Sequence, residues 1–136
     1  MINFYNETDF ILKDKENLIS WIEKIIRIND ALLDEINYIF CNDNYLLKIN
    51  QDFLEHDYFT DIITFDNSIG NTLSADIYIS IDRVIDNSKI FGVHFDNELR
   101  RVLIHGILHL LGYKDKTKDE QSIMTKLEND ALALYI

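Results

Sequence analysis

Apolar and polar residues alternate from Ala75 to Ile81, with Ile77, Ile79 and Ile81 on one side and Asp76, Tyr78 and Ser80 on the other. That period of two marks a strand with one buried face. Glu35–Phe40 repeats it through Ile36, Tyr38 and Phe40, and Ile2–Tyr5 and Thr60–Phe65 read as two shorter strands. Elsewhere the apolar spacing changes to three and four. Glu16–Ile28 brings Leu18, Ile22, Ile25 and Ile26 to one helical face, widened by Ile19 and Trp21, with Lys24 and Arg27 outward. Asp43 or Asn44 caps a helix running to about Phe53. Asp82 starts a short helix through Lys89 that ends near Gly92. Thr117–Ala131 reads as a last amphipathic helix around Ile123, Met124 and Leu127, with Glu120 in its first turn. Strands and helices mix without strict alternation. The expected fold is therefore α+β: one domain over residues 1–136, a mixed sheet of about four strands covered by helices.

The most informative helix runs from Glu98 to Leu111, capped by Asp96. Leu99, Val102, Leu103, Gly106 and Leu110 form its core-facing stripe, and Ile104, Leu108 and Leu111 cover much of the rest. His105 and His109 fall together at the edge of that stripe. On a helix, residues four apart are neighbours, about 6 Å between side-chain bases, so both imidazoles can reach one small ion. Gly112 can adopt the left-handed conformation that ends a helix, which lets the chain turn back and offer Asp115 as a third ligand. Two imidazoles and a carboxylate, with a fourth position left for water, make a catalytic-type zinc arrangement. A metal also satisfies two imidazoles in an enclosed helix, where unpartnered polar groups are costly. The alternative is a pair of half-buried histidines bonded to backbone or carboxylates.

Composition changes this picture in three ways. The formal net charge of −11 excludes a general nucleic-acid binder with a broad basic face, although not an enzyme whose RNA contacts are local or whose docking is supplied by a partner. The lone Cys41 has no internal disulfide partner, fits a reducing cytoplasm, and reads as a small buried residue at a strand end. No run is long enough to span a membrane, and the first residues lack the basic start and apolar stretch of a signal peptide. With no proline and few glycines, Asn42-Asp43-Asn44 and Asp66-Asn67-Ser68 serve as loop punctuation.

The stretch His105-Gly106-Ile107-Leu108-His109-Leu110-Leu111-Gly112-Tyr113 resembles the signature of the YbeY family of metal-dependent endoribonucleases, His-Gly-x-Leu-His-Leu-x-Gly-Tyr-Asp-His. Lys114 stands at the family's aspartate and Asp115 at its third histidine. A second block, Asn50 through Phe65, is similar to the family's Asn-x-x-Tyr-Arg and Lys-Asp-x-x-Thr-Asp-Val-Leu-Ser-Phe segments. Asp57, Thr60, Asp61 and Phe65 match there, while Leu54 replaces the arginine. Ala75–Ser80 is similar to a Gly-Asp-Ile-x-Ile-Ser strand. The resemblance covers most of the chain and implies a zincin-like core in which a mixed sheet backs a central metal-bearing helix.

It further implies a single-strand endoribonuclease acting in ribosomal RNA maturation, at the 3′ end of the small-subunit RNA, and in ribosome quality control. One Zn²⁺ per chain, on His105, His109 and Asp115, would activate a water. The implied partners are ribosomal RNA and ribosomal particles, with ribosomal or GTPase assembly proteins beside them, in the cytoplasm and away from membranes. The proteases with His-Glu-x-x-His carry a general base directly after the first histidine, and Gly106 takes that position here. Glu98 and Asp119 are the candidate catalytic carboxylates, each with a surface or capping role as the alternative. Lys114, Lys116 and Lys118 are candidates for a phosphate path, Arg100 and Arg101 for surface charges near the site, and His56 for an RNA contact. Two other functions stay open: a non-catalytic ribosome-assembly factor that keeps its metal, favoured by Leu54 and the acidic charge, and a small zinc metallopeptidase.

Overall fold

The computed structural model describes residues 1–56 and 58–136, so the Asp57 match lies outside the described residues. The elements run β1 (Ile2–Asn6), α1 (Lys15–Ile28), β2 (Leu32–Cys41), α2 (Asp43–Leu54), β3 (Ile62–Asp66), β4 (Thr72–Ser80), α3 (Ile81–Phe91), α4 (Phe95–Leu110) and α5 (Lys118–Ala133). The four strands form one mixed sheet in the order β1-β2-β4-β3. β1, β2 and β4 are parallel, and β3 runs antiparallel to β4 along one edge.

The alternation in β2 and β4 positions the core. Ile36, Tyr38 and Phe40 of β2 and Ile77 and Ile79 of β4 are fully buried on one face, where α1 and α4 cover them. Cys41, Leu46 and Ile63 form a smaller cluster on the opposite face under α2. Trp21 packs inward and donates its indole N–H to the Ala131 carbonyl at 2.8 Å, tying α1 to α5. α4 lies centrally, against α1, α3, α5 and the β3–β4 edge of the sheet. Gly106 allows this close approach: a Cβ there would meet Ile77 Cδ1 at 3.1 Å and Ile62 Cδ1 at 3.2 Å.

Several boundaries differ from expectation for a common reason. The caps are the residues just before the expected ones: Asn42 for α2, Ser80 for α3 and His94 for α4, each accepting from a backbone N–H of the first turn. Asp43, Asp82 and Asp96 lie inside those first turns, where a carboxylate opposes the positive end of the helix dipole. Ile81 therefore belongs to a helix rather than to β4. Thr117 does cap α5, in a capping box with Glu120. The inward face of α5 is displaced from the expected one: Met124, Glu128 and Ala131 are buried and Ile123 is exposed.

Candidate metal centre

His105 and His109 sit on the last turns of α4. The helix ends at Leu111, Gly112 takes a φ of 103°, and the Tyr113 N–H bonds back to the Leu108 carbonyl at 3.1 Å. This reversal brings Asp115 over the histidines. Its Oδ2 lies 3.3 Å from His105 Nε2 and 3.5 Å from His109 Nε2, and the two Nε2 atoms are 2.9 Å apart.

The other ring nitrogens fix what those three atoms present. His109 Nδ1 is 2.9 Å from the Tyr113 carbonyl, which can only accept, so Nδ1 carries the hydrogen. His105 Nδ1 lies 2.6 Å from Glu128 Oε2, a carboxylate that is 4 % exposed. With Nδ1 donating, the neutral form of each imidazole directs an Nε2 lone pair toward the Asp115 oxygen. Three acceptors facing one another repel unless a cation lies between them. Their separations are those expected for an ion with bonds of about 2.0–2.1 Å and tetrahedral angles, for which neighbouring ligands stand about 3.3 Å apart. The donor set fits a small divalent ion, and His105, His109 and Asp115 are the residues that would hold it.

These atoms form the floor of an open cleft of about 630 Å³. One wall is the edge strand β3 with its lead-in, contributing Asp61, Ile62 and Thr64. Asn50, Leu54, His56 and Tyr58 also line the cleft, as does Lys116, next to Asp115. The buried Asn50 donates its amide to the Tyr58 carbonyl at 3.0 Å and accepts the His56 N–H on its own carbonyl at 3.0 Å. The His56 and Tyr58 rings stack at 5.1 Å on the rim.

Other candidates lie elsewhere. Glu98 is 1 % exposed, and both its oxygens are taken by Arg101, at 2.8 and 2.6 Å. Asp119 is exposed in the first turn of α5. Neither lines the cleft. Of the three lysines only Lys116 lines it. Arg100 lies over the Tyr135 ring at 4.1 Å, and His94 is an exposed cap. Arg101 is not a surface charge: it is half-buried between Glu98, Glu128 and Asp61. Its hydrogen bond to Glu98 raises its pKa against the opposing effect of burial.

Glu128 was not found from the sequence. The signal was there in weak form, a carboxylate four residues after Met124 and three before Ala131, on the helical line of two buried residues.

Comparison with known proteins identifies the family. The family model described as "Endoribonuclease YbeY" matches residues 2–135. The chain is similar to the protein named "Endoribonuclease YbeY" from Christiangramia forsetii, at 52% identity over 98% of this chain and 94% of the relative. It is also similar to the protein of that name from Flavobacterium psychrophilum, at 47% identity over 99% and 96%. A solution structure from Thermotoga maritima superposes with a TM-score of 0.68 at 29% identity, over 98% of this chain and 90% of that one. The chain belongs to the YbeY family of endoribonucleases.

Proposed function

We propose that this protein is a zinc-dependent endoribonuclease that cuts single-stranded RNA during ribosomal RNA maturation, with one Zn²⁺ held by His105, His109 and Asp115. The observation that carries the reading is the convergence of two Nε2 atoms and one carboxylate oxygen at 2.9, 3.3 and 3.5 Å on the floor of an open cleft. When bound, such an ion supplies Lewis acidity and a nucleophilic water at neutral pH.

The chain's own residues bind and orient. Glu128 and the Tyr113 carbonyl hold the two imidazoles in the tautomer that faces the cleft. Lys116 offers a cation to a phosphate, and the His56–Tyr58 stack offers a face for a base. Leu54 lines the cleft where the family carries arginine, so phosphate recognition falls to Lys116 and His56. Glu98 acts as a structural partner of Arg101, and Asp119 as a helix-start carboxylate. Ribosomal particles supply the docking that a chain of net charge −11 does not provide by itself. The cytoplasm, where such particles mature, is the proposed site of action. Among the described residues, no helix is long and apolar enough to cross a membrane.

The peptidase alternative meets a steric obstacle. A glutamate in place of Gly106 would crowd its Cβ against Ile77 at 3.1 Å and Ile62 at 3.2 Å. The test compares metal content and RNA cleavage of the wild type with the His105→Ala/His109→Ala variant. One zinc per chain and cleavage of a single-stranded RNA, both lost in the variant, are expected. Cleavage that persists in the variant overturns the mechanism. Metal uptake and ribosomal-particle binding without cleavage identify a non-catalytic assembly factor, and cleavage of peptides but not RNA identifies a peptidase.

A further inference from the structure

Around His105 the structure holds more charge than three ligands require. Arg101 stands one turn before His105 on α4, and its guanidinium is engaged on several sides. Nε and Nη2 grip the two oxygens of Glu98 at 2.8 and 2.6 Å, a two-pronged contact that fixes the plane of the fork. Nη1 then faces Glu128 Oε1 at 3.3 Å. Nη2 also approaches Asp61 Oδ2, on the cleft wall, at 3.7 Å. With Oε1 of Glu128 held by arginine, Oε2 is left at 2.6 Å from His105 Nδ1.

We infer that Glu98, Arg101 and Glu128 form a positioning relay that sets how tightly the centre holds its ion. Glu98 orients Arg101, Arg101 orients Glu128, and Glu128 orients and polarises His105. This rests on the metal-dependent reading of the site given above.

Fold stability alone does not account for the arrangement. Buried ion pairs contribute little net stability compared with apolar residues of the same shape. Here two nearly inaccessible carboxylates share one arginine, which leaves surplus negative charge beside one imidazole. A carboxylate on the distal nitrogen raises the basicity of a ligating histidine and restrains its ring. The second histidine has only the neutral Tyr113 carbonyl in that position, so the relay acts on His105 alone.

The experiment measures Zn²⁺ affinity by chelator competition and the visible absorption spectrum of the Co²⁺-loaded protein, neither of which involves RNA. The chains compared are the wild type, Glu128→Gln, Arg101→Lys and Glu98→Leu/Arg101→Leu. The double variant removes arginine and its main partner together, so Glu98 is not left as a lone buried charge; Glu128 keeps only His105, and the metal-free melting temperature reports whether the variant is still folded. Each variant is expected to bind Zn²⁺ roughly 10- to 100-fold more weakly, with a changed Co²⁺ spectrum.

Arg101→Lys keeps the charge and loses the fork, so wild-type affinity in that variant overturns the orienting role. Wild-type affinity and an unchanged spectrum in Glu128→Gln, or in a folded double variant, overturn the relay. A wild-type chain that takes up neither ion overturns the metal reading itself. Uptake by the wild type with no effect of the variants overturns the relay and leaves that reading standing.

Discussion

The Tyr38 hydroxyl donates to the Leu103 carbonyl at 2.9 Å, which fastens the middle of β2 to α4 two residues before His105. Both groups are fully buried. The bond fixes the helix that carries the histidines against the sheet that backs it, linking core packing to the placement of the centre. Tyr38→Phe removes the donor and leaves Leu103 its bond within the helix. The expected cost is about 1 kcal/mol in chemical denaturation, with metal binding retained.

The same tyrosine gives a pH dependence. Burial raises its pKa above the ordinary phenol value. An unfolded chain ionises this phenol near pH 10 and the folded chain does not, so its contribution is fully present below about pH 10 and lost as pH rises beyond it. Wild-type stability should fall more steeply than that of Tyr38→Phe above this point. Equal slopes in urea titrations at alkaline pH would show that Tyr38 is not the group responsible.

Cys41 should behave as an inert core residue. Burial first, then the nearby carboxylates of Asp43 and Asp82, push its thiol up to about 12. Its Sγ lies 3.5 Å from the Ile79 carbonyl. A thiol reagent at pH 8 should leave the native chain unlabelled and label it fully in urea. Rapid native labelling would mean that the α2 face opens readily.

Gly106→Ala sets two effects against each other. Alanine gains up to about 1 kcal/mol of helix propensity over glycine. Its methyl would meet Ile77 at 3.1 Å and Ile62 at 3.2 Å, and overpacking of this kind costs about 1–3 kcal/mol. Steric crowding outweighs the gain in propensity, so the variant should melt at a lower temperature. A variant that melts higher would show that β3 and β4 yield without strain.

Lys116 should act on substrate grip rather than on the ion. Lys116→Ala is expected to raise KM for single-stranded RNA severalfold, leave kcat nearly unchanged and reduce the salt slope of binding by about one. A fall in kcat at unchanged KM would give the lysine a role in the chemical step.

The convergence of the three candidate ligands could be read from the residues because their placement obeys local rules. Four-residue spacing puts His105 beside His109, and a glycine after the helix end turns Asp115 back over them. The alternating strands were equally plain, since Ile36, Tyr38, Phe40, Ile77 and Ile79 meet one buried face. Contacts between distant elements were not. Glu128 reaches His105 from α5, and only its place on the line of Met124 and Ala131 distinguishes it from the exposed acids around it. Arg101 reads as a surface charge, and Glu98 as a catalytic candidate or a surface or capping residue, because each alone is costly to bury and only their pairing makes burial tolerable. The N-caps shifted by one or two positions because Asn, Ser and Asp favour helix starts for different reasons, one by hydrogen bonding and another by charge.

All three candidate metal ligands come from the single stretch between His105 and Asp115, whereas the rest of the rim is built mostly from residues between Asn50 and Asp66. The two halves of the cleft are therefore separable in sequence. A substitution in the rim, such as one at position 54, changes the cleft without touching the three candidate ligands. Substrate preference can thus be altered along one segment of the chain while the ligand stretch is left unchanged.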